Sequence, residues 1–167
     1  MHEMTKQNLQ NAFAGESQAH MKYQIFADAA EKEGKANIAR LFRAISYAER
    51  VHATGHLRAL GGVHGTAENL GVAFAGENFE ITEMYPVYNE DAKFQGEKAA
   101  EQSTHYALEA EKIHAAMYTK AREVAQGGKD IQLKEVYICP VCGFTHEGEP
   151  EAFCPVCGVK KELFKKF

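Results

Sequence analysis

The segment Gly76-Glu77-Asn78-Phe79-Glu80-Ile81-Thr82-Glu83-Met84-Tyr85-Pro86 places three carboxylates where the pattern otherwise predicts a core helix. The apolar residues that share one helical face here are Leu70, Phe74, Ile81, Met84 and Tyr88. Glu77 and Glu80 fall on or beside that face. An ionised carboxylate in a helix core is costly unless a cation pairs with it. Two of them one turn apart therefore predict a bound cation, and the rest of the chain supplies the other half of a metal cage.

Length and composition are those of an ordinary soluble protein. The 167 residues suffice for one compact domain and a small appendage, with 45% apolar and 25% charged residues. The net charge of -4 gives no basic surface, so we expect no nucleic-acid partner. No apolar run approaches the ~18 residues of a membrane span, so we expect no membrane contact. The N-terminal segment lacks the apolar stretch of a signal peptide, and we expect a cytoplasmic protein.

Two helices are predicted over about residues 4–33 and 36–60, each with a seam typical of a helix bundle. A carboxylate interrupts both seams, Glu16 in the first and Glu49 in the second, and His52 follows Glu49 by one turn. The first seam comprises Leu9, Phe13, Glu16, His20, Tyr23, Ala27 and Ala30, and the second comprises Ile38, Phe42, Ile45, Glu49, His52, His56 and Ala59.

A loop over residues 61–69 is predicted to join this helix pair to a second pair, over about residues 68–95 and 97–126. Pro86 lies inside the third helix and removes one backbone hydrogen bond, so we expect a kink there. In the fourth helix Glu111 and His114 repeat the E-x-x-H spacing. Its seam comprises Thr104, Leu108, Glu111, Ala115, Tyr118 and Arg122.

The two helix pairs resemble each other. Gly76-Glu77 follows Gly15-Glu16 by 61 positions, and the second E-x-x-H motif follows the first by 62. A near-constant offset indicates a duplicated helix pair. Glu80 has no counterpart, since position 19 is Ala. The pattern is therefore a symmetric cage with one additional carboxylate.

A Glu from each of two helices and an E-x-x-H motif from each of two others form the di-iron carboxylate pattern of four-helix bundles. Residues i and i+3 share a helix face, so each motif can direct an oxygen and a nitrogen to one interior point. Carboxylates and imidazole suit iron or manganese. The predicted ligands are Glu16, Glu49, His52, Glu77, Glu80, Glu111 and His114.

Other polar residues near the seams have simpler interpretations. Glu83 is interpreted as surface charge on a helix. His20 and His56 are interpreted as hydrogen-bonded histidines and not as ligands. Tyr23 and Tyr85 are interpreted as packing residues whose hydroxyls face the site, where such a hydroxyl can orient a ligating carboxylate.

The C-terminal part has a different character. We predict a helical domain over residues 1–128, a linker over 129–134 and a metal-binding domain over 135–167. All four cysteines lie in two C-x-x-C-G knuckles, with 11 residues between Cys142 and Cys154. Such spacing presents four thiolates tetrahedrally, and about 34 residues need a metal in place of a sufficient core. Zinc and iron both accept four thiolates, so a structural zinc ribbon is the alternative interpretation.

These motifs together resemble the rubrerythrin family over nearly the whole chain. The matching segments are Gly15-Glu16 with Tyr23, Glu49-x-x-His52, Gly76-Glu77-x-x-Glu80 running into Met84-Tyr85-Pro86, Glu111-x-x-His114, and the Cys-Pro-Val-Cys-Gly pair ending in Lys161-Glu162-Leu163-Phe164. No ligand position departs from the family pattern. The resemblance implies a mainly α fold, with a ferritin-like four-helix bundle followed by a small rubredoxin-like metal-knuckle domain.

The resemblance also implies three iron ions. Two non-haem irons would form a di-iron site, bridged by Glu49 and Glu111. Glu16 would bind one of these irons, and Glu77 with His114 would bind the other. The third iron would be held by Cys139, Cys142, Cys154 and Cys157. Zinc can occupy either kind of site in recombinant protein.

Four residues are implied to act in catalysis: Glu80, His52, Tyr23 and Tyr85. His52 would bind the first iron in the reduced state, and Glu80 would replace it in the oxidised state. The implied activity is reduction of hydrogen peroxide to water in oxidative-stress defence, with electrons arriving through the four-cysteine iron.

The external reductant would be a rubredoxin- or reductase-like carrier linked to NAD(P)H, since the chain has no G-x-G-x-x-G fingerprint. We expect that one flexible linker does not bring the two metal sites together within one chain. The resemblance implies a head-to-tail homodimer, in which the rubredoxin-like domain of one subunit serves the di-iron site of the other.

Two other functions fit parts of the pattern. The first is a ferroxidase or iron-handling protein, but Glu80 and the attached four-cysteine domain favour the peroxidase, because iron storage needs no dedicated electron inlet. The second is a metal-buffering protein with a structural zinc ribbon. Colour distinguishes it, since a ferric four-thiolate site is red and a zinc site is colourless.

Overall fold

The computed structural model describes residues 1–167, which divide into two compact units, residues 1–64 and 65–167. The first unit contains helices α1 (Glu3–Lys32) and α2 (Ala36–Ala59). The helices of the second unit are α3 (Thr66–Phe79), a π-helical segment (Glu80–Met84), α4 (Tyr85–Gln95) and α5 (Lys98–Gln126). Its strands are β1 (Val136–Ile138), β2 (Thr145–Glu147) and β3 (Lys165–Lys166), with a 3-10 turn (Lys161–Leu163) before β3. None of the helices is long and apolar enough to cross a lipid bilayer.

The packing of α2 against α1 corrects the predicted seam by one position. Ala39, Ser46 and Ala53 are buried at intervals of seven residues, whereas Ile38 and Ile45 are 47% and 43% exposed. The Ser46 hydroxyl reaches α1, where it donates to a backbone carbonyl at 2.9 Å. Small side chains let two helices approach closely, so these residues face α1 in place of their larger neighbours. The predicted seam of α1 is correct, since each of its members is buried or half-buried.

The irregularity expected at Pro86 takes the form of a π-helical segment. The Tyr85 N–H donates to the carbonyl of Glu80, five residues earlier. Pro86 has no N–H, and its ring would crowd the carbonyl four residues before it, so a wider turn accommodates it. The α-helical pattern resumes with Pro86 in the first turn of α4. Glu80, the carboxylate without a repeat counterpart, is thus the first residue of a π segment.

A buried asparagine joins α4 to α5. Asn89 is 7% exposed, and its amide donates to the Glu101 carbonyl at 2.7 Å and to the Thr104 hydroxyl at 2.9 Å. Four alanines of this unit are also buried, namely Ala92, Ala110, Ala115 and Ala121. This packing fixes the rotation of α5, which carries the second E-x-x-H motif.

The C-terminal residues form a three-stranded sheet in the order β2-β1-β3, with both pairs antiparallel. Each cysteine knuckle closes with a backbone hydrogen bond. Gly143 N–H donates to Cys139 C=O at 3.0 Å, and Gly158 N–H donates to Cys154 C=O at 2.9 Å. Both glycines have positive φ, 78° and 74°, a conformation that other residues adopt only with strain. The glycine of each knuckle is therefore needed for its turn.

Candidate metal centres

The first cluster of possible metal ligands consists of Glu16 from α1 with Glu49 and His52 from α2. One ligand atom from each residue lies within 4.8 Å of the others. The His52 Nδ1 atom lies 3.0 Å from a Glu49 carboxylate oxygen and 3.9 Å from one of Glu16. The i,i+3 spacing puts Glu49 and His52 on one face of α2. Two carboxylates and one imidazole therefore converge on a common point.

The second cluster, in residues 65–167, repeats this geometry with Glu77 from α3 and Glu111 and His114 from α5. The His114 Nδ1 atom lies 2.6 Å from a Glu111 carboxylate oxygen and 3.9 Å from one of Glu77. In both clusters the carboxylate nearer to the histidine comes from the same helix, and the farther one comes from a helix earlier in the chain. The internal repeat of the sequence is thus also a repeat of site geometry.

Burial and repulsion between carboxylates disfavour the ionised form of the second cluster. The pKa of Glu77 is raised from 4.5 to about 7, first by burial and then by the hydrogen bond and charge of Glu111, against the opposing charge of His114. Burial, followed by the charge of Glu77, also raises the pKa of Glu80. A bound cation would favour the ionised carboxylates and offset both effects. This cluster therefore has the electrostatics of a site that takes up a cation.

The two tyrosines predicted near the site have different surroundings. Burial, followed by the charge of Glu80 and of other glutamates near it, raises the pKa of Tyr85. Its phenol accordingly keeps its proton and can donate a hydrogen bond. Tyr23 packs against Phe26 and Phe42, with ring centroids 6.3 Å and 6.1 Å away. Tyr85 therefore lies among the carboxylates, whereas Tyr23 belongs to an aromatic cluster within the first unit.

The two histidines of the clusters are held to different degrees. The side chain of His52 is 55% exposed, whereas that of His114 is 31% exposed. The His114 Nε2 atom also lies 2.8 Å from the hydroxyl oxygen of Thr145 on β2. The His114 ring is thus fixed at both nitrogens, and His52 has more freedom to move.

The four cysteines converge on a single point. The sulfur atoms of Cys139 and Cys157 lie 3.5 Å apart, and those of Cys142 and Cys154 lie 3.4 Å apart. All four lie within 4.8 Å of one another. Metal–sulfur bonds of about 2.3 Å in a tetrahedron put the sulfurs about 3.8 Å apart, so a small expansion would admit an ion. This donor set fits iron or zinc.

The thiols of this site are not equivalent before metal binds. Burial raises the pKa of Cys142 and of Cys157. Burial acts in the same direction on Cys154, but hydrogen bonds from the Cys157 and Val156 N–H groups outweigh it and lower the pKa of Cys154. Backbone N–H groups directed at this sulfur stabilise the thiolate that a metal requires.

The four-cysteine domain packs against α5 through alternate residues. These contacts pair Gly143 with Ala110, Thr145 with His114, and Glu147 with Lys120. Tyr106 of α5 packs against the cysteine cluster. The expectation that one linker does not bring the two kinds of site together is therefore wrong for residues 65–167. Thr145 could not be predicted from the sequence, since a lone threonine in a short strand carries no signal of its own.

The carboxylate and histidine donors fit iron, and their number fits half of a di-iron site in each cluster. Each cluster offers two carboxylates and one imidazole, the hard and intermediate donors that non-haem iron accepts. Bundle di-iron sites use twice that set. Glu80 lies outside the two converging groups and provides an additional carboxylate beside the second.

Comparison with known families separates the carboxylate–histidine clusters from the four-cysteine site in the same way. The rubrerythrin family model matches residues 7–122, which contain both carboxylate–histidine clusters. A model for the rubrerythrin rubredoxin-like domain matches residues 137–165, which contain the four cysteines. The chain belongs to the rubrerythrin family.

Individual family members align over nearly the whole chain. Rubrerythrin-2 of Clostridium acetobutylicum is 48% identical over 178 aligned positions, which cover 98% of this chain and 97% of the relative. Nigerythrin of Nitratidesulfovibrio vulgaris is 33% identical, and the alignment covers 98% of this chain and 86% of nigerythrin. Solved structures of nigerythrin in mixed-valence and all-ferrous states match with a TM-score of 0.56, 32% identity and the same two coverages.

Membership in the family confirms several predictions. The chain is mainly helical, with a ferritin-like domain followed by a rubredoxin-like domain. The carboxylate–histidine clusters and the four-cysteine site match the iron cofactors of rubrerythrin and nigerythrin. The protein is thus an iron-binding member of a family whose members are generally oxidoreductases.

Proposed function

We propose that this rubrerythrin-family protein reduces hydrogen peroxide to water with electrons that enter through its four-cysteine iron. The observation that carries this proposal is the 2.8 Å contact of Thr145 with His114. This contact joins the domain of the four-cysteine site to a ligand of the carboxylate site. An iron site that can deliver electrons, so close to the carboxylate cluster, suits a reductase. An iron-storage protein does not need such a site.

The two carboxylate–histidine clusters would together hold two irons. In this assignment Glu16 and Glu49 would provide carboxylate ligands from the first cluster, and Glu77, Glu111 and His114 would provide ligands from the second. When bound, the irons would supply the two electrons that cleave the O–O bond of peroxide. The protein's part is to hold the pair by hydrogen-bonded carboxylates and to keep its surroundings partly shielded from water.

His52 and Glu80 would exchange as ligands when the oxidation state changes. The greater exposure of His52 supports this role, since a histidine that must leave the metal cannot be anchored as His114 is. Glu80 begins a π segment, a feature often found at functional sites. An anionic oxygen is favoured over a neutral nitrogen as the charge on iron rises.

Two tyrosines would assist the carboxylates. The protonated phenol of Tyr85, raised in pKa by burial and by Glu80, can donate a hydrogen bond to a carboxylate that changes position. Tyr23 is assigned the matching role in the first helix pair by its position in the family motif. Both act by orienting a ligand and need not lose a proton.

The reductant would be an external carrier linked to NAD(P)H and of rubredoxin or reductase type. The reducing cytoplasm would keep the cysteines free of disulfides and available to bind iron. We also propose a head-to-tail homodimer, as the family resemblance implies, in addition to the contact between the four-cysteine domain and α5 within one chain. Exposed apolar side chains on α2 support a partner surface there, for example Ile38, Leu41, Ile45 and Val51.

Anaerobic stopped-flow of the reduced, iron-loaded protein tests the proposal through the visible bands of the four-cysteine iron. Peroxide should oxidise this iron much faster than oxygen does. Glu80→Ala should slow the peroxide reaction at least about tenfold, a barrier increase of about 1.4 kcal/mol. Glu83→Ala, which removes an exposed carboxylate from the same segment, is the matched control and should react like wild type.

Two results would replace the proposal with one of its alternatives. Oxidation by oxygen as fast as by peroxide would indicate a ferroxidase. A colourless protein after iron loading would indicate a structural zinc ribbon.

A further inference from the structure

Thr145 belongs to the rubredoxin-like domain, yet its hydroxyl reaches a ligand of the carboxylate cluster. Thr145 is 5% exposed, and its oxygen lies 2.8 Å from His114 Nε2 and 3.1 Å from the carbonyl of Gly143. Gly143 directly follows Cys142, the second cysteine of the first knuckle. A short chain of polar groups thus links the knuckle to the histidine, shielded from water.

The hydrogen-bond directions in this chain follow from the number of available protons. A carbonyl can only accept, and a hydroxyl has one hydrogen to donate. The Thr145 hydroxyl donates to Gly143, so it must accept from His114. His114 consequently carries a hydrogen on Nε2. Its Nδ1, which lies 2.6 Å from a Glu111 carboxylate oxygen, is the nitrogen left to give up its hydrogen and bind a metal.

Nδ1 is also the atom that faces the carboxylates. It lies 2.6 Å from Glu111 and 3.9 Å from Glu77, whereas Nε2 points away to β2. A histidine binds a metal through a nitrogen without hydrogen, and the bond made by the other nitrogen selects the tautomer. The tautomer imposed by Thr145 is therefore the one that can bind a metal in this cluster.

We propose that Thr145 is a positioning residue of the carboxylate–histidine site, which holds His114 in its metal-binding tautomer and orientation. The rubredoxin-like domain then does more than contain an iron of its own, because it contributes a residue that completes the neighbouring site. The proposal rests on the assignment of His114 as a metal ligand, and it is independent of whether peroxide is the oxidant.

Three variants distinguish the effect of the Thr145 hydroxyl from the effect of the side-chain shape and from a general effect of substitution. Thr145→Val keeps the branched shape and removes the hydroxyl, whereas Thr145→Ser keeps the hydroxyl. Thr119→Val removes an exposed hydroxyl of α5 that bonds only within its helix, and serves as the control. Loss of a group that orients a metal ligand typically lowers metal affinity about 10–100-fold.

The first measurement is zinc affinity of the carboxylate–histidine site, by competition with a chelator. We expect Thr145→Val to weaken it about 10–100-fold, and we expect Thr145→Ser and Thr119→Val to stay near wild type. Retention of the iron–thiolate absorption in Thr145→Val shows that the rubredoxin-like domain is folded. Wild-type affinity in a folded Thr145→Val protein would overturn the proposal.

The second measurement needs no variant and decides the case if Thr145→Val does not fold. In zinc-loaded wild-type protein labelled with ¹⁵N-histidine, long-range ¹H–¹⁵N NMR should show a slowly exchanging proton on His114 Nε2 and zinc on Nδ1. Zinc on Nε2 would overturn the proposal. Neither measurement involves peroxide, so a failed peroxidase assignment leaves these results interpretable.

Discussion

His114 Nε2 lies 2.8 Å from the hydroxyl oxygen of Thr145, so a ligand of one candidate metal site is hydrogen-bonded to the domain that contains the other. The two residues are 31 positions apart, on α5 and β2. The helix contributes the histidine whose Nδ1 atom faces the carboxylates. The strand contributes the hydroxyl that holds the Nε2 atom on the other side of the ring. The helix α5 therefore carries two possible ligands of the second cluster and also contacts the four-cysteine domain.

His114→Ala should weaken metal binding at the carboxylate site while leaving the four-cysteine site intact. The variant loses the only imidazole of the second cluster. Because loss of an outer-shell group already costs about 10–100-fold, we expect ferrous or cobalt affinity to fall by at least about tenfold. Metal titration followed by cobalt absorption measures this. His105→Ala, an exposed histidine on the same helix, is the control, and equal affinity in both variants would remove His114 from the ligand set.

Cys154→Ser should abolish the iron–thiolate absorption and destabilise the C-terminal domain. The buried core of this domain consists of Cys139, Cys142 and Cys154, so the metal takes the place of an apolar core. We expect faster proteolysis after residue 134 and unchanged metal binding at Glu16 and Glu49. Val141→Ala, at an exposed position between two cysteines, should retain the absorption. A folded Cys154→Ser domain resistant to protease would show that the metal is dispensable for stability.

The metal-free protein should lose stability as the pH rises from about 4.5 through 7. The pKa of Glu77 is raised from 4.5 to about 7, chiefly by burial. A raised carboxyl pKa means that the folded state binds more protons than the unfolded state between these values. Its contribution to stability is fully present below 4.5 and disappears as the pH passes about 7. Urea unfolding of metal-free protein across this range measures the slope.

Glu77→Gln is the test of that assignment, because glutamine cannot ionise. We expect a flatter pH dependence of unfolding in this variant, whereas Glu83→Gln should keep the wild-type slope. Added ferrous iron should reverse the trend in wild type, since a cation favours the ionised carboxylates at higher pH. An unchanged slope in Glu77→Gln would assign the titration to another group.

Ser46→Ala should weaken the contact between α1 and α2. Ser46 is fully buried, donates to the His20 carbonyl at 2.9 Å and accepts from the Gln24 amide at 2.9 Å. Its removal leaves buried polar groups without a partner, which costs about 1–3 kcal/mol. Amide hydrogen exchange within α1 and α2 should show an opening free energy lower by that amount. Ser103→Ala, exposed on α5, should leave exchange in both helices unchanged.

The groups of candidate metal ligands could be predicted because the spacing that identifies them lies within short segments of the sequence. An i,i+3 spacing places Glu49 with His52, and Glu111 with His114, on one helix face regardless of what packs around it. The C-x-x-C-G knuckles are likewise complete within five residues each. Family resemblance added the fold, which comparison with rubrerythrin and nigerythrin confirms.

Packing details could not be predicted at the same level. In α2 the apolar period allowed either Ile38 and Ile45 or the adjacent Ala39 and Ser46 to face α1. Only the close approach of the two helices selects the small residues. In the third helix the proline indicated an irregularity, but its form as a π segment depends on the backbone path around Glu80.

The sequence by itself determined which residues form the candidate metal clusters, because helix periodicity and knuckle spacing fix the direction of each side chain relative to its near neighbours. Only the tertiary structure decided that Thr145 meets His114 and that β2 lies along α5. The physical reason is that a hydrogen bond between residues far apart in the chain depends on how two elements dock. Docking is set by burial and shape summed over many residues, and no single short motif encodes it.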